Sequence, residues 1–196
     1  DPPDSEHLRL HIKLTSGGRQ RGIQNLLFWD RRGLGTVQLL TESTYATLCH
    51  GGKLGPDALQ MTPALFFQQM GKSRRAIKVA LLDQKLVAGI GNLYAAEILL
   101  LAGIHPEQTC LQLTDRDWQN ISRATRRVLR QAIRYEGSTL GDGTYRNALN
   151  KKGRYQNHHR VYGREGETCR HCRVGRVKRI VQSQRATFYC PTCQPA

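Results

Sequence analysis

Between His7 and Leu14 the segment HLRLHIKL alternates apolar and polar residues, a period of two that predicts a strand with one covered face. Gly17-Gly18 supplies a turn, and NLLFWD (25–30) and GTVQLL (35–40) predict further strands on either side of a second turn. Two or three strands make a poor sheet alone, so this stretch predicts the end of a larger β layer. From Thr62 the period lengthens to that of a helix. Thr62-Pro63 puts an N-cap before a proline at the first helical position, leading into ALFFQQM. Ser73 stands where it would cap RRAIKVALLD, and Asn92 where it would cap LYAAEILLLA, which Gly103 ends with Pro106 just beyond. Thr114 opens a long helix, DRDWQNISRATRRVLRQAIRYE, with Asp117 as the partner in a capping-box-like pair and Gly137 as its stop. The next stretch, GSTLGDGTYRNALNKKGRYQNHHR, has no clear period and predicts a mobile loop.

Charge adds a partner class to this outline. The 196 residues carry a formal net charge of +15 and a sequence pI near 10.1, a balance that favours a polyanion. From Gly143 onward there are twelve basic residues against two acidic ones, Glu165 and Glu167. A second cluster is KSRRAIK (72–78), and a third is the arginine series Arg123, Arg127, Arg130 and Arg134, one stripe if the segment is helical. A single cluster is usually a solvated face; three in a chain this basic favour a nucleic-acid track. No apolar run reaches the roughly 18 residues of a membrane span, and no signal peptide opens the chain.

Four cysteines carry the strongest chemical signal. Cys169, Cys172, Cys190 and Cys193 form C-x2-C, seventeen residues, C-x2-C. Each pair offers two thiolates from a tight turn, and a hairpin between the pairs brings four sulfurs into a tetrahedron. RVKRIVQ and RATFYC alternate as the two strands of that hairpin should, with Ser183-Gln184 near its turn. Iron–sulfur ligation and disulfides are the alternatives; one structural Zn²⁺ is the favoured reading. Such a unit has almost no core, so metal binding supplies much of its folding free energy. Cys49 and Cys110 read as ordinary buried thiols.

Gly89-Ile90-Gly91-Asn92 raises the question of whose phosphate the glycines approach. A dinucleotide-binding turn needs a strand before the first glycine and a third Gly or Ala after it. Here AIKVALLDQKLVAG reads as helix, and Tyr94 occupies the third position. What remains is a helix, a glycine-rich hairpin and a second helix, with Asn92 and free N–H groups turned outward, which suits a backbone phosphate.

AIKVALLDQKLVAGIGNLYAAEILLLAGIHP, together with VYGREGETCRHC and QRATFYCPTCQ, resembles the Fpg/Nei family of DNA glycosylases, and LGPDAL (54–59) is similar to a further family element. The resemblance runs from about His7 to Gln194 and is closer to the formamidopyrimidine branch. It implies an α+β chain in three parts: residues 1–50 as the remnant of an N-terminal β-sandwich, 51–160 as a helix–two-turn–helix (H2TH) domain with a lesion-covering loop, and 161–196 as a four-cysteine zinc finger.

The implied function is base-excision DNA repair. Such enzymes flip an oxidised purine out of the duplex, excise it as a glycosylase and then cleave the strand as an AP lyase. The family's nucleophilic N-terminal proline, its acid/base glutamate and a β-domain lysine have no matching position here; Pro2 and Pro3 fall in a loop inside the β domain. The chain is therefore expected to supply the DNA-binding part and to be inactive alone. Residue by residue, the resemblance assigns DNA contacts to His7, Arg32, Leu34, Arg74, Lys78, Asn92 and Arg185. Arg185 is also credited with aiding δ-elimination. Leu34 replaces the family's phenylalanine wedge, Gly33 its second loop arginine, and Gly137–Leu140 begins the loop over the damaged base. The expected partner is damaged double-stranded DNA, bound by a cytoplasmic, nucleoid-associated monomer. A non-catalytic protein for damaged or abasic DNA is the alternative, and a zinc-ribbon RNA-binding protein is a third reading.

Overall fold

The structure, a computed structural model, describes residues 5–14, 25–30, 33–50, 54–141, 143, 145–147, 149 and 151–196, without the side chains of Cys49 and His50. Its centre is the helix that the sequence marks as apolar on every side. α4 (Asn92–Ala102) buries Ala95, Ala96, Glu97, Ile98, Leu99, Leu100 and Ala102. A helix apolar all round must be covered on more than one face. One face joins a helical core with Met61, Phe66, Ile77, Leu81, Trp118, Ile121 and Val128. The other, through Ala96 and Leu100, meets Val161, Val177, Cys169 and Cys190 of the C-terminal unit.

Local signals set the helix ends. α2 (Pro63–Met70) starts at Thr62, whose Oγ1 accepts from Leu65 N–H at 3.2 Å. α5 (Asp115–Arg134) has the reciprocal capping box between Thr114 and Asp117, and Gly103 ends α4 at φ 74°. Between α2 and α4 the sequence reading needs correction. α3 covers only Ile77–Leu81, its cap is Ala76, and no side chain caps it. Ser73 Oγ is instead taken by the backbone N–H of Arg75, and residues 73–77 pair with 108–111 through Cys110 N–H to Arg75 O and Ile77 N–H to Gln108 O. Extended pairing there delays the helix. Asn92 is likewise not the cap of α4; Gly91 is, with no side-chain bond.

The segment expected to be a featureless mobile loop is tied down at both ends. Tyr155 begins a 3-10 turn (Tyr155–His158) and is fully buried in the helical core. Its N–H donates to Gly137 O, and Arg154 N–H donates to Tyr135 O. Irregular backbone with specific partners has no period to read.

At the other end, β1 (Leu8–Lys13) and β2 (Asn25–Trp29) pair antiparallel. The Gly17-Gly18 turn lies outside the described residues. GTVQLL is not a strand: residues 35–40 have no regular structure, and Val37 and Leu39 are exposed. Among the described residues no third strand covers them. α1 (Glu42–His50), absent from the sequence reading, follows. Among the described side chains, none of these elements contributes to either core.

β3 (Lys178–Gln182) and β4 (Arg185–Tyr189) form the expected C-terminal hairpin. Its unit is fastened to α4 by Glu97, whose fully buried Oε1 accepts from the N–H groups of Arg160, Val161 and Tyr162 at 2.8, 2.9 and 3.1 Å. The Arg160 guanidinium lies 3.4 Å from Oε2. Three backbone donors and one cation compensate the buried charge. Glu97→Ala leaves those donors unpaired and is expected to cost about 3–5 kcal/mol in urea unfolding, with a smaller loss for Glu97→Gln, which keeps one acceptor.

Candidate nucleic-acid interface and metal centre

The glycine turn before α4 is held from behind. Gln84 accepts from Gly89 N–H at 2.9 Å and donates to Ile90 O at 2.9 Å. Gly89 sits at φ 98°, in the left-handed region open to glycine. The LGPDAL element lies against this turn through Ala58 N–H to Ala88 O and Ala88 N–H to Pro56 O. With no side-chain cap, the first-turn N–H groups of α4 stay open, as a helix that receives an anion requires.

At that helix start three parts of the chain converge. Lys78 Nζ donates to Asn92 Oδ1 at 2.6 Å, and Asn92 Nδ2 donates to the carbonyl of Ala186 at 2.9 Å. Ala186 follows Arg185 at the head of β4, so the hairpin tip and the glycine turn share one surface. Lys78 is fully buried, and that burial, with the nearby Arg185 guanidinium, pushes its ammonium down to about 8. Arg185 is exposed. The turn that carries it uses Ser183 and Gln184 at φ 47° and 61°, the two left-handed positions of a type I′ hairpin without a glycine.

The four cysteines of the finger close on one point. All four Sγ atoms lie within 4.8 Å of one another, Cys169–Cys193 at 4.0 Å and Cys172–Cys190 at 3.8 Å. A zinc with Zn–S bonds of about 2.3 Å has S···S edges of about 3.8 Å. Disulfides would need sulfurs about 2.05 Å apart, and the cysteines are free. So tight a group encloses a single ion rather than a multi-iron cluster. Backbone N–H groups of Val174 and Gly175 hold the Cys172 thiol down at about 6, as suits a thiolate ligand. A Cβ on Gly175 would come within 2.6 Å of Cys190 Sγ, so only glycine fits behind the sulfurs. The residues fit one structural Zn²⁺, with no position left for a reacting water.

The root of the proposed lesion loop is equally specific. Ser138 Oγ and His159 Nε2 are 3.0 Å apart, and Thr139 Oγ1 accepts from Gly153 N–H at 2.9 Å while donating to Tyr145 O. Burial lowers His159 and pushes the Tyr155 phenol up to about 12, so both stay neutral near pH 7.

The other expected DNA-contacting residues are scattered. Arg74 is exposed on the strand-like segment before α3, and Leu34 is exposed. His7 packs edge-on against Trp29 at 5.5 Å. Arg32 lies outside the described residues. Cys110 is the buried thiol expected, raised by burial to about 11, and nothing is described for the Cys49 side chain. Sequence reasoning missed Gln84, Glu97 and Gln182, whose Nε2 donates to Pro106 O at 3.1 Å. Of these only Glu97 left a trace, as a lone carboxylate in an apolar helix.

Comparison with known proteins follows the same outline. Residues 54–143 match the formamidopyrimidine-DNA glycosylase H2TH domain, and residues 166–196 match the zinc finger found in FPG and IleRS. A formamidopyrimidine-DNA glycosylase of Chloroflexus aurantiacus is 40% identical over 99% of this chain and 67% of its own length. One from Bacillus subtilis is 35% identical over 99% of this chain and 68% of its own. The chain thus spans about two thirds of these relatives. The Lactococcus lactis Fpg in complex with an abasic site containing DNA superposes with a TM-score of 0.84 at 32% identity, over all of this chain and 69% of that one. The same protein with a FAPY-dG containing DNA gives 0.83.

Removing the metal should separate the two cores. A chelator is expected to abolish amide protection in residues 161–196 while α2, α4 and α5 keep theirs, read by hydrogen exchange. Unchanged protection in the finger would contradict a folding role for the ion.

Proposed function

Because the chain belongs to the Fpg family of DNA glycosylases, which act in base-excision repair, we propose that its 196 residues bind damaged or abasic duplex DNA across the Lys78–Asn92–Arg185 surface. The observation that carries this reading is the bond from Asn92 to Ala186, which couples the open helix start to the hairpin tip. Asn92 keeps one amide hydrogen for a phosphate, the first-turn N–H groups of α4 add more donors, and Arg185 brings a guanidinium fork. His7, Arg32 and Arg74 extend the contact, Leu34 fills the gap left by an extruded base, and the loop from Gly137 covers that base. In this reading residues 1–50 form part of a β domain, 51–160 the DNA-gripping helical domain and 161–196 the finger. The intact protein excises oxidised purines, 8-oxoguanine and formamidopyrimidines, and nicks the strand, acting as a monomer in the nucleoid. The 196 residues alone hold DNA without excising a base, since the family's proline, glutamate and lysine find no counterpart among them.

Lys78 ties binding to pH. Its ammonium is held near 8 in the free protein, so below that value it is charged and above it neutral. A bound phosphate favours the charged form, so binding takes up a proton above pH 8. Affinity for an abasic duplex is expected to fall between pH 8 and 10 in the unaltered protein and to stay flatter in Lys78→Arg, as measured by fluorescence anisotropy. Arg185→Ala should weaken the same complex and lower its salt slope by about 1, the loss of one phosphate contact. Borohydride trapping on an oxidised-guanine duplex should yield no covalent adduct; an adduct mapped to this chain would overturn the non-excising assignment.

A further inference from the structure

α5 carries a second cationic surface that the site above does not use. Its buried face is Trp118, Ile121, Thr125, Val128, Leu129 and Ala132. On the opposite face Arg123, Arg127, Arg130 and Arg134 are all exposed, in one stripe about 16 Å long at about 1.5 Å per residue. Among the described residues no carboxylate lies within ion-pair distance of any of the four; Arg123 donates only to Asn120 Oδ1, at 2.8 Å. The helix confines its acids to its first turn, Asp115 and Asp117. Four unneutralised guanidinium groups in register are electrostatically costly unless something anionic lies across them.

The Arg123 end of the stripe lies beside the far end of α4 from Asn92. Arg123 and Arg127 share a shallow groove with Leu101 of α4. Leu101 stands nine residues beyond Asn92, about 14 Å along the helix and half a turn round it. We infer that this stripe is a second phosphodiester-binding ridge, which takes a separate DNA duplex while the Asn92 surface holds the first. Length supports a nucleic-acid backbone: 16 Å spans about five nucleotide steps of one strand at about 3.4 Å each. Composition argues against a lipid or protein partner. The only large apolar side chain exposed on α5 is Ile133, so the face has neither a membrane-inserting edge nor an aromatic anchor. Such a ridge lets the protein pass from one duplex to another through a ternary intermediate without a free state in between.

The inference rests on the Asn92 surface being the first site, and the test separates the two. The protein is bound to a short labelled abasic duplex, and its release is followed by stopped flow against rising concentrations of unlabelled duplex. Affinity for the short duplex reports on the first site; the competitor dependence of release reports on the ridge. Release from the unaltered protein is expected to accelerate in proportion to competitor. In Arg127→Glu/Arg130→Glu it becomes independent of competitor, while short-duplex affinity stays within about two-fold, because neither arginine bonds to Lys78, Asn92 or Arg185. Arg127→Gln/Arg130→Gln, a milder change, shifts release the same way. Competitor-independent release by the unaltered protein would overturn the ridge. So would a ten-fold loss of short-duplex affinity in both variants, or equal acceleration by polyglutamate or anionic vesicles.

Discussion

A single buried carboxylate decides how the two halves of this molecule meet. α4 is apolar around its circumference, so it must be enclosed, and the enclosing surfaces come from separate units: the helical core on one side, the cysteine finger on the other. Apolar contact alone would let those surfaces slide or rotate. Glu97 removes that freedom, because one oxygen receives three successive N–H groups at the entrance to the finger, and the second lies beside Arg160. A charge with no solvent must keep all its donors or pay several kcal/mol. Two further bonds reinforce the registration, Gln194 Nε2 to Ile104 O and Gln182 Nε2 to Pro106 O. Asn92 stands five residues before Glu97 on the same helix, so fixing the finger at Glu97 also fixes the hairpin tip at Asn92.

That registration explains how a finger with little core acquires a precise position. Its own order comes from the sulfurs, where a metal replaces the hydrophobic interior that 36 residues fail to provide. Its orientation comes from the helix it lies against. The left-handed turn at Ser183-Gln184 costs backbone energy in two residues that are not glycine, about 1–2 kcal/mol each. It is tolerated where the strands, the sulfurs and the Ala186 bond all constrain the same short hairpin.

What the sequence made legible was whatever is local. Cysteine spacing announces the metal, Thr62 and Thr114 announce their helices, and Gly103 ends one, because in each case the partners lie within a few residues. The failures share a cause as well. Ser73 and Asn92 have the chemistry of helix caps, yet long-range partners claim the surroundings of the first and the side chain of the second. GTVQLL has strand composition but no pairing strand among the described residues, and composition does not supply one. The stretch after Gly137 looked structureless because Thr139, Gly153 and Tyr155 are ordered by bonds across 14 to 18 residues, which leave no period. Family resemblance singled out Lys78 and Arg185, and the structure brings these two cations near each other. Glu97 was visible only as an anomaly.

The electrostatics of the interface follow from the same architecture. A chain of net charge +15 has no shortage of cations to offer a polyanion, and an exposed lysine would have served as a simple point charge. Burying Lys78 does something different. Its ammonium loses water and faces Arg185, so the charged form is held less firmly than at the surface. In the proposed binding mode a phosphate offsets that penalty, because the counter-charge arrives in a place already stripped of water. Anions that do not reach both Asn92 and Arg185 leave the penalty in place. In the proposed binding mode, that penalty in the free protein favours an anion that meets both the helix start and the hairpin tip.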